Sequence, residues 1–165
     1  MNGEHHYTVA TQWQGNRGSG TSGYRDYGRE HTISAVGKPA IAASSDRTFH
    51  GDADRWNPEE LLIAALSQCH LLSYLHVAAS GGVIVQSYVD SATGTMVQTP
   101  DGGGHFTSVT LRPRVTIARS TSQTDAEVIA LAQRLHSDAA AKCFIAASVN
   151  FPVRHDAQIG FAGPE

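Results

Sequence analysis

The chain has 165 residues, of which 41% are hydrophobic and 16% charged, a composition typical of one soluble globular domain. The formal net charge is −3 and no block of Lys or Arg occurs, so we expect no nucleic-acid partner. Only two cysteines are present, which excludes a disulfide scaffold. Residues 1–6 are polar and do not resemble a signal peptide, so we expect a cytoplasmic protein with a single domain over residues 1–165.

The N-terminal part, residues 1–56, is predicted to be β-structure followed by a connection. Alternating residues predict strands over 5–13, 21–26 and 29–35. A glycine-rich turn at residues 15–20 carries Arg17 near its tip. Residues 40–56 are mixed and polar, and either a lid or a simple connection fits them.

Residues 57–80 predict a long central helix. Asn57 and Glu60 fit a capping box, Pro58 suits the first helical position, and Gly81-Gly82 supplies the stop. The helix is apolar on nearly every side and must therefore be buried on most faces. Polar side chains near its middle (Gln68, His70, His76) and the absence of flanking Lys or Arg argue against a membrane span.

Residues 83–165 predict a hairpin, a second helix and a last strand. The strands of the hairpin cover residues 83–99 and 105–118, where Pro113 indicates an edge strand or a bulge. Thr124 and Glu127 form a second capping box, which opens a helix reaching about residue 141. A short strand over 149–153 follows, and the tail from residue 160 is expected to fray. The order β-β-β-α-β-β-α-β indicates an α+β fold.

The two cysteines carry the chemistry that needs explaining. Cys69 lies in the middle of the apolar helix and Cys143 follows the second helix. One interpretation is that both are small buried hydrophobic residues, as free cysteines often are. The other is a peroxidatic and resolving pair, in which one thiolate attacks an oxidant and the second thiol closes a disulfide.

A peroxidatic thiolate needs a cation, and the middle of a helix gains nothing from the helix dipole. Arg17 is the best candidate, with Arg47 and Arg55 as alternatives. Glu59 is an acid that could hold such an arginine, but ten residues of helix put it about 15 Å from Cys69 along the axis. Two antiparallel copies of the helix would bring Glu59 of one chain near Cys69 of the other, so we expect a homodimer.

Other kinds of site have little support in the sequence. Cys69 and His76 share a helix face but lie too far apart along the axis to bind one metal ion. No phosphate-binding loop and no Ser-His-Asp signature is present. We therefore expect neither a metal site nor a bound cofactor. For His70 and Gln68 we expect mutual hydrogen bonding at the helix interface rather than a place in the pocket.

These motifs resemble the OsmC/Ohr family of thiol-dependent hydroperoxide reductases. The resemblance rests on the run Asn57-Pro-Glu-Glu-Leu61, the apolar stretch ending in Cys69, the later Cys143, and the arginine-bearing turn Trp13-Gln-Gly-Asn-Arg17-Gly-Ser-Gly20. It implies an intertwined homodimer with two long central helices and active sites at the dimer interface. The sequences Gln68-Cys69-His70 and Cys143-Phe144 depart from the usual family pattern and indicate a divergent branch.

Carried over position by position, the resemblance assigns four site residues. Cys69 matches the peroxidatic cysteine, Cys143 the resolving cysteine, Glu59 the acid and Arg17 the arginine that the acid orients. The expected activity is the reduction of organic hydroperoxides to alcohols, with an external dithiol as reductant and no membrane partner. The alternatives are a non-enzymatic stress protein that binds a small apolar ligand at the dimer interface, and a redox sensor.

Overall fold

A computed structural model describes residues 3–162, and its contacts divide the chain into two compact units, Met1–Leu62 and Ile63–Glu165. In the described residues the order of strands and long helices is β-β-β-α-β-β-β-β-α-β-β, which confirms the α+β class. Two strands that were expected to be single are each split in two. A further strand follows the predicted last one.

The first unit contains one antiparallel sheet. Its strands are β1 (Ala10–Trp13), β2 (His31–Ser34) and β3 (Ile41–Ala43), in the order β1-β2-β3. A short 3-10 helix (Arg47–Phe49) follows, so the segment 40–56 is partly regular. Trp56 forms an isolated bridge with Ala43 just before the long helix begins.

The predicted strand over residues 21–26 is wrong, because this segment forms turns. The loop between β1 and β2 is closed instead by backbone hydrogen bonds, Gln14 N–H to Glu30 O at 2.9 Å and Gly28 N–H to Gly15 O at 2.8 Å. The indole N–H of Trp13 also donates to Gly28 O at 2.9 Å. A Cβ at position 15 would overlap the Gly28 carbonyl, so the close approach requires a glycine there.

The central helix α1 spans Pro58–Ser80, as predicted. Its capping box is present: Glu60 N–H donates to Asn57 Oδ1 at 2.8 Å, and Asn57 N–H donates to Glu60 Oε2 at 3.3 Å. The helix ends before Gly82, which adopts a left-handed conformation with φ 75°. By length and composition α1 could cross a membrane, a property that it shares with core helices of soluble proteins.

The second unit contains a hairpin with two long strands. Each strand bends once, at the same height, and the bend divides it into two shorter strands. The bounds are β4 (Val85–Asp90), β5 (Thr93–Gln98), β6 (Gly104–Leu111) and β7 (Pro113–Ile117). Two further strands, β8 (Val153–His155) and β9 (Gln158–Phe161), complete two three-stranded sheets, β4-β7-β9 and β5-β6-β8. The chain passes from the first sheet to the second at residues 91–92 and back again at residue 112.

Side chains at the bend replace the ladder hydrogen bonds that are lost there. The Arg112 N–H donates to Asp90 Oδ1 at 2.6 Å, and the Arg112 guanidinium donates to Thr93 Oγ1 at 2.8 Å. Pro113 is the first residue of the central strand β7, so the predicted edge strand is wrong, and the predicted bulge is absent because Pro113 pairs with Asp90 in regular register. It is tolerated there because the bend already interrupts the ladder at that residue.

Helix α2 (Asp125–Lys142) connects the hairpin to the last two strands, and the predicted Thr124–Glu127 capping box is confirmed. β8 (Val153–His155) pairs parallel to β6, and β9 (Gln158–Phe161) pairs parallel to β7. The strand predicted over 149–153 therefore begins only at Val153. Fraying from residue 160 is wrong for Gly160 and Phe161, which belong to β9; residues 163–165 lie outside the described residues.

The core of the second unit lies between the two helices and the sheet β4-β7-β9. Tyr74 of α1, Ile117 of β7 and Ala132 of α2 are fully buried in it. Near the bend, a smaller cluster packs Leu66 of α1 against Val109 and Leu111 of β6. Burial of each such large apolar side chain stabilises the fold by about 1.5–3 kcal/mol.

Candidate active site

The two cysteines, which are far apart in the sequence, lie side by side in the second unit. Cys69 is half-buried on α1, whereas Cys143 is 3% exposed and forms the C-cap of α2. Both are free thiols. The antiparallel packing of α1 and α2 brings them together, and Tyr74 OH, which donates to Ala132 O at 3.1 Å, fixes the register of the two helices.

The two thiols have different environments. Burial, and then a hydrogen bond with Cys69, raise the pKa of Cys143 to about 11. The Ala146 N–H donates to Cys143 Sγ at 3.4 Å and has a smaller, opposite effect on that pKa. Cys143 therefore keeps its proton at neutral pH, and the nucleophilic role of Cys69 stays a prediction.

His70 does not bond to Gln68, so the expected pairing of these two residues is wrong. Gln68 is exposed, whereas His70 is fully buried and its Nε2 lies 3.0 Å from Nδ1 of His136 on α2. The His155 ring of β8 lies 4.2 Å from that of His70, and the Tyr74 ring stacks on that of His136 at 4.0 Å. A histidine cluster, His70, His136 and His155, thus joins α1, α2 and β8.

The histidine cluster is held in its neutral form. Burial and the neighbouring imidazoles lower the pKa of His70 to about 3 and that of His136 to about 4. Burial also lowers the pKa of His155, while the Asp90 carboxylate acts in the opposite direction. Nδ1 of His70 and Nε2 of His136 are buried without a hydrogen-bond partner within residues 3–162.

Arg17 and Glu59 belong to the first unit, and within residues 3–162 no ion pair joins them. Glu59 lies in the first turn of α1, where its Oε2 is buried and has no hydrogen-bond partner among the described residues. A buried carboxylate oxygen without a partner is unfavourable, so a cationic side chain that pairs with Glu59 would stabilise it. Of the two alternative arginines, Arg55 already pairs with Asp52 at 3.8 Å.

Arg17 lines an open depression of about 310 Å³ together with Arg25, Tyr27, Arg29 and His50. Arg29 is fixed, because its guanidinium donates to Tyr27 O and to Tyr24 O, each at 2.6 Å. It also lies over the ring of Tyr27 at 4.1 Å. Arg17 and Arg25 are exposed, so their guanidinium groups are accessible to an anion.

The sequence pattern of the OsmC-like protein family matches residues 51–157. The chain belongs to the OsmC-like family. An uncharacterized protein of Bacillus subtilis, YmaD, is 24% identical over 97% of this chain and 98% of its own length. The structure of an OsmC-like protein of unknown function from Vibrio cholerae has a TM-score of 0.78 and 29% identity over 94% of this chain and all of its own.

The fold also matches an organic hydroperoxide resistance protein from Elizabethkingia anophelis, with a TM-score of 0.68 and 18% identity over 98% of this chain and all of that one. At this identity the likeness concerns the fold alone. OsmC-like membership and the α+β architecture confirm the resemblance inferred from Asn57–Leu61 and the two cysteines.

Sequence reasoning missed His136 and His155 as neighbours of the site. His136 had a readable signal, because it lies at helical spacing from Ala132 and Ala139 on the buried face of α2. A buried histidine on such a face needs a hydrogen-bond partner, and His70 at the same kind of position on α1 supplies it. His155 had no comparable signal, since β8 has only three residues.

We predict that acid destabilises the protein through the histidine cluster. The unfolded chain binds protons at an ordinary histidine pKa near 6.5, whereas folded His70 and His136 do so only near 3 and 4. The free energy of unfolding should therefore fall as the pH drops from about 6.5 to 4, by about 1.4 kcal/mol per pH unit for each group. Urea unfolding at a series of pH values measures this slope.

His136→Gln should make that slope distinctly shallower, whatever its effect on stability at neutral pH. His105→Gln is the matched control, since His105 is exposed on β6, and it should leave the slope unchanged. Equal slopes in wild type and His136→Gln would contradict the assignment.

Proposed function

We propose that this OsmC-like protein is a thiol-dependent peroxidase that reduces organic hydroperoxides to alcohols. The observation that carries the proposal is the pair of neighbouring free thiols, one half-buried and one buried with a raised pKa. Membership of the OsmC-like family, and a fold shared with proteins named for organic hydroperoxide resistance, support it.

In the first step the Cys69 thiolate attacks the distal oxygen of the hydroperoxide. The S–O bond forms as the O–O bond breaks, so that sulfur is oxidised to a sulfenic acid and an alkoxide leaves. The Cys143 thiol is the proton source at hand, since an alkoxide is a stronger base than a thiolate. The alcohol departs and Cys143 is left as a thiolate.

In the second step the Cys143 thiolate attacks the Cys69 sulfenic sulfur. An S–S bond forms, hydroxide leaves, and the two cysteines are joined in a disulfide. An external dithiol then reduces this disulfide by exchange and restores both thiols. The cycle needs no bound cofactor or metal. Dependence on a dithiol favours a reducing compartment, so we also propose that the protein is cytoplasmic.

We assign Arg17 to the stabilisation of the Cys69 thiolate and to binding of the peroxide, and Glu59 to orienting Arg17 through a charge-assisted pair. The buried, unpaired Oε2 of Glu59 and the accessible guanidinium of Arg17, as the described residues show them, support this assignment. Because Glu59 and Cys69 are about 15 Å apart along α1, we propose that Glu59 of one chain serves Cys69 of another.

The surface of α1 supports a homodimer. The face opposite the core carries residues spaced alternately four and three apart, which we call the outer seam: Leu61, Ala65, Gln68, Leu72, Leu75 and Ala79. Leu72 is 64% exposed and Leu75 is 38% exposed. This is the spacing with which two helices pack along a seam, so a second copy of α1 is the partner that fits it. Cys69 borders the seam, which would place the thiol at the edge of the interface.

The seam predicts that Leu72→Glu dissociates the dimer. Two leucines per dimer, each contributing about 1.5–3 kcal/mol, would be replaced by buried charges, so the dimer should weaken at least about 100-fold. Sedimentation velocity measures the oligomeric state. Val89→Glu is the matched control because Val89 is 63% exposed on β4 and away from the seam. A Leu72→Glu protein that remains dimeric would rule out this interface.

The peroxidase proposal predicts a specific oxidation product. After one addition of an organic hydroperoxide, mass spectrometry should find a loss of two hydrogen atoms per chain, mapped to a Cys69–Cys143 disulfide, and an excess of dithiol should sustain turnover. Cys69→Ser should form no disulfide and show no turnover, because the substitution removes the nucleophile. The corresponding alcohol, which lacks the O–O bond, is the control reagent.

Two results would contradict the peroxidase proposal, and each would favour a different function. Intact thiols at all hydroperoxide concentrations would exclude peroxidase chemistry and favour the non-enzymatic binding protein. A disulfide that forms once, with no turnover when dithiol is present, would indicate a redox sensor instead.

A further inference from the structure

The open depression of the first unit, which we call the arginine depression, has the features of an anion site. It has a volume of about 310 Å³, and all of its lining residues belong to the first unit. These residues are Arg17, Arg25, Tyr27, Arg29 and His50. Three of the five are permanent cations, because an arginine guanidinium keeps its proton throughout the physiological pH range.

The loop between β1 and β2 is folded so that its arginines converge. Gly28 N–H donates to Gly15 O at 2.8 Å, which joins the two arms of the loop. At the tip of the first arm, Asn16 Oδ1 accepts hydrogen bonds from two backbone N–H groups at 2.9 and 3.0 Å. This turn carries Arg17, and the second arm carries the other two arginines. The convergence is therefore built into the loop by backbone hydrogen bonds.

Arg29 is held in place before any ligand binds. Its guanidinium lies over the rings of Tyr27 at 4.1 Å and Tyr24 at 4.6 Å, and it donates to the carbonyl oxygens of the same two tyrosines. The Tyr24 ring also meets the His50 ring edge to face, with 5.3 Å between the centroids. A guanidinium has five N–H donors, so Arg29 keeps donors for a further acceptor. Such pre-organisation lowers the entropy cost of binding.

The protein itself supplies no counter-charge to these cations. The loop contains two acids, Asp26 and Glu30, but neither lines the depression, and Asp26 accepts a hydrogen bond from Ser22 Oγ at 3.1 Å. Within residues 3–162 no salt bridge joins an arginine of the depression to a carboxylate. The chain has a net charge of −3, so the cluster is not part of a generally basic surface. Gathered guanidinium groups repel one another, and an anion bound between them offsets that repulsion.

Charge, shape and size narrow the class of anion. Three permanent cations favour a dianion over a monocarboxylate. The planar guanidinium fork matches the oxygen geometry of phosphate and can form two parallel hydrogen bonds with it. The volume of about 310 Å³ exceeds that of a phosphate group alone, and the Tyr27 side chain gives the remaining space a wall. Free phosphate and a small phosphate monoester both fit this description.

We propose that the arginine depression binds a phosphate-type dianion, either free phosphate or the head of a small phosphate monoester. The phosphate oxygens accept hydrogen bonds from Arg17, Arg25 and Arg29, and His50 supplies a further polar group beside them. The site shares Arg17 with the peroxidase proposal, but the binding of the dianion does not rest on that proposal. It is a second binding function, which needs neither cysteine.

The test is a titration of ¹⁵N-labelled protein with glycerol 3-phosphate at constant ionic strength, followed by NMR through the Nε–H signal of Arg29. We expect a saturable shift in wild type and equally in Cys69→Ser, which separates this site from the peroxidase proposal. Arg25→Gln should weaken binding about tenfold, because it removes charge-assisted hydrogen bonds. Arg47→Gln is the matched control, since Arg47 is an exposed arginine of the same unit that does not line the depression, and it should leave the affinity nearly unchanged.

A parallel titration with inorganic phosphate distinguishes the two sources of the dianion. Tighter binding of glycerol 3-phosphate would identify the monoester as the ligand, whereas inorganic phosphate that binds at least as tightly would identify free phosphate.

Three results would overturn the proposal. One is the absence of a saturable Arg29 shift at millimolar concentrations of both phosphates. Another is an unchanged affinity in Arg25→Gln, which would mean that the arginines do not act together. The third is a response to acetate as strong as that to phosphate, which would indicate a non-selective anion effect only.

Discussion

The antiparallel packing of α1 against α2 is the constraint on which the second unit depends. It is fixed by two buried contacts, Tyr74 OH to Ala132 O and His70 Nε2 to His136 Nδ1. The same register brings the middle of α1 beside the end of α2, so that Cys69 lies next to Cys143, the C-cap residue of α2. The proximity of the two cysteine thiols is therefore a consequence of helix packing rather than of a dedicated loop.

The two contacts differ in what they contribute to stability. Tyr74 is fully buried with its hydroxyl satisfied, which is a favourable arrangement. The histidine pair gains one hydrogen bond, worth about 0.5–1.5 kcal/mol, but leaves two buried nitrogens without a partner among the described residues, at about 1–3 kcal/mol each. An apolar pair at these positions would be the more stable choice. The cost of the pair appears as sensitivity to acid.

Helix α1 is used on both of its faces, which explains its composition. Leu66, His70 and Tyr74 are fully buried against the second unit, while the outer seam carries exposed leucines. Because the helix is apolar on all sides, its sequence does not show which side faces the core. The same composition does indicate that both sides of the helix are buried against other elements. Cys69 lies between the two faces, where its thiol contacts Cys143 and stays partly accessible.

Local chemistry made the helices and the two cysteines predictable. The capping boxes at Asn57 and Thr124 place each helix start, and the apolar run around Cys69 indicates the family. The sheet was harder, because residues 83–99 show one continuous β pattern and nothing local reports the bend that Asp90 and Arg112 stabilise across the hairpin.

Non-local pairs within the site were equally out of reach of sequence reasoning. The His70–His136 contact spans 66 positions, and only the fold can choose that partner over Gln68. The Cys69–Cys143 pair was predicted because a peroxidatic and a resolving cysteine must form a disulfide, and both cysteines match positions of the OsmC/Ohr family. Arg17 and Glu59 carry no such local evidence of contact, and their ion pair stays a prediction.

The division of roles between the two thiols is the central claim, and sulfenate trapping in Cys143→Ala tests it most directly. Without the resolving thiol, a hydroperoxide should leave Cys69 as a sulfenic acid that dimedone captures, whereas wild type should show the disulfide and little adduct. A dimedone adduct on Cys69 in the variant is the predicted result. An unmodified Cys69 in folded Cys143→Ala would contradict the claim, because it would mean that Cys69 is not the residue that attacks the peroxide.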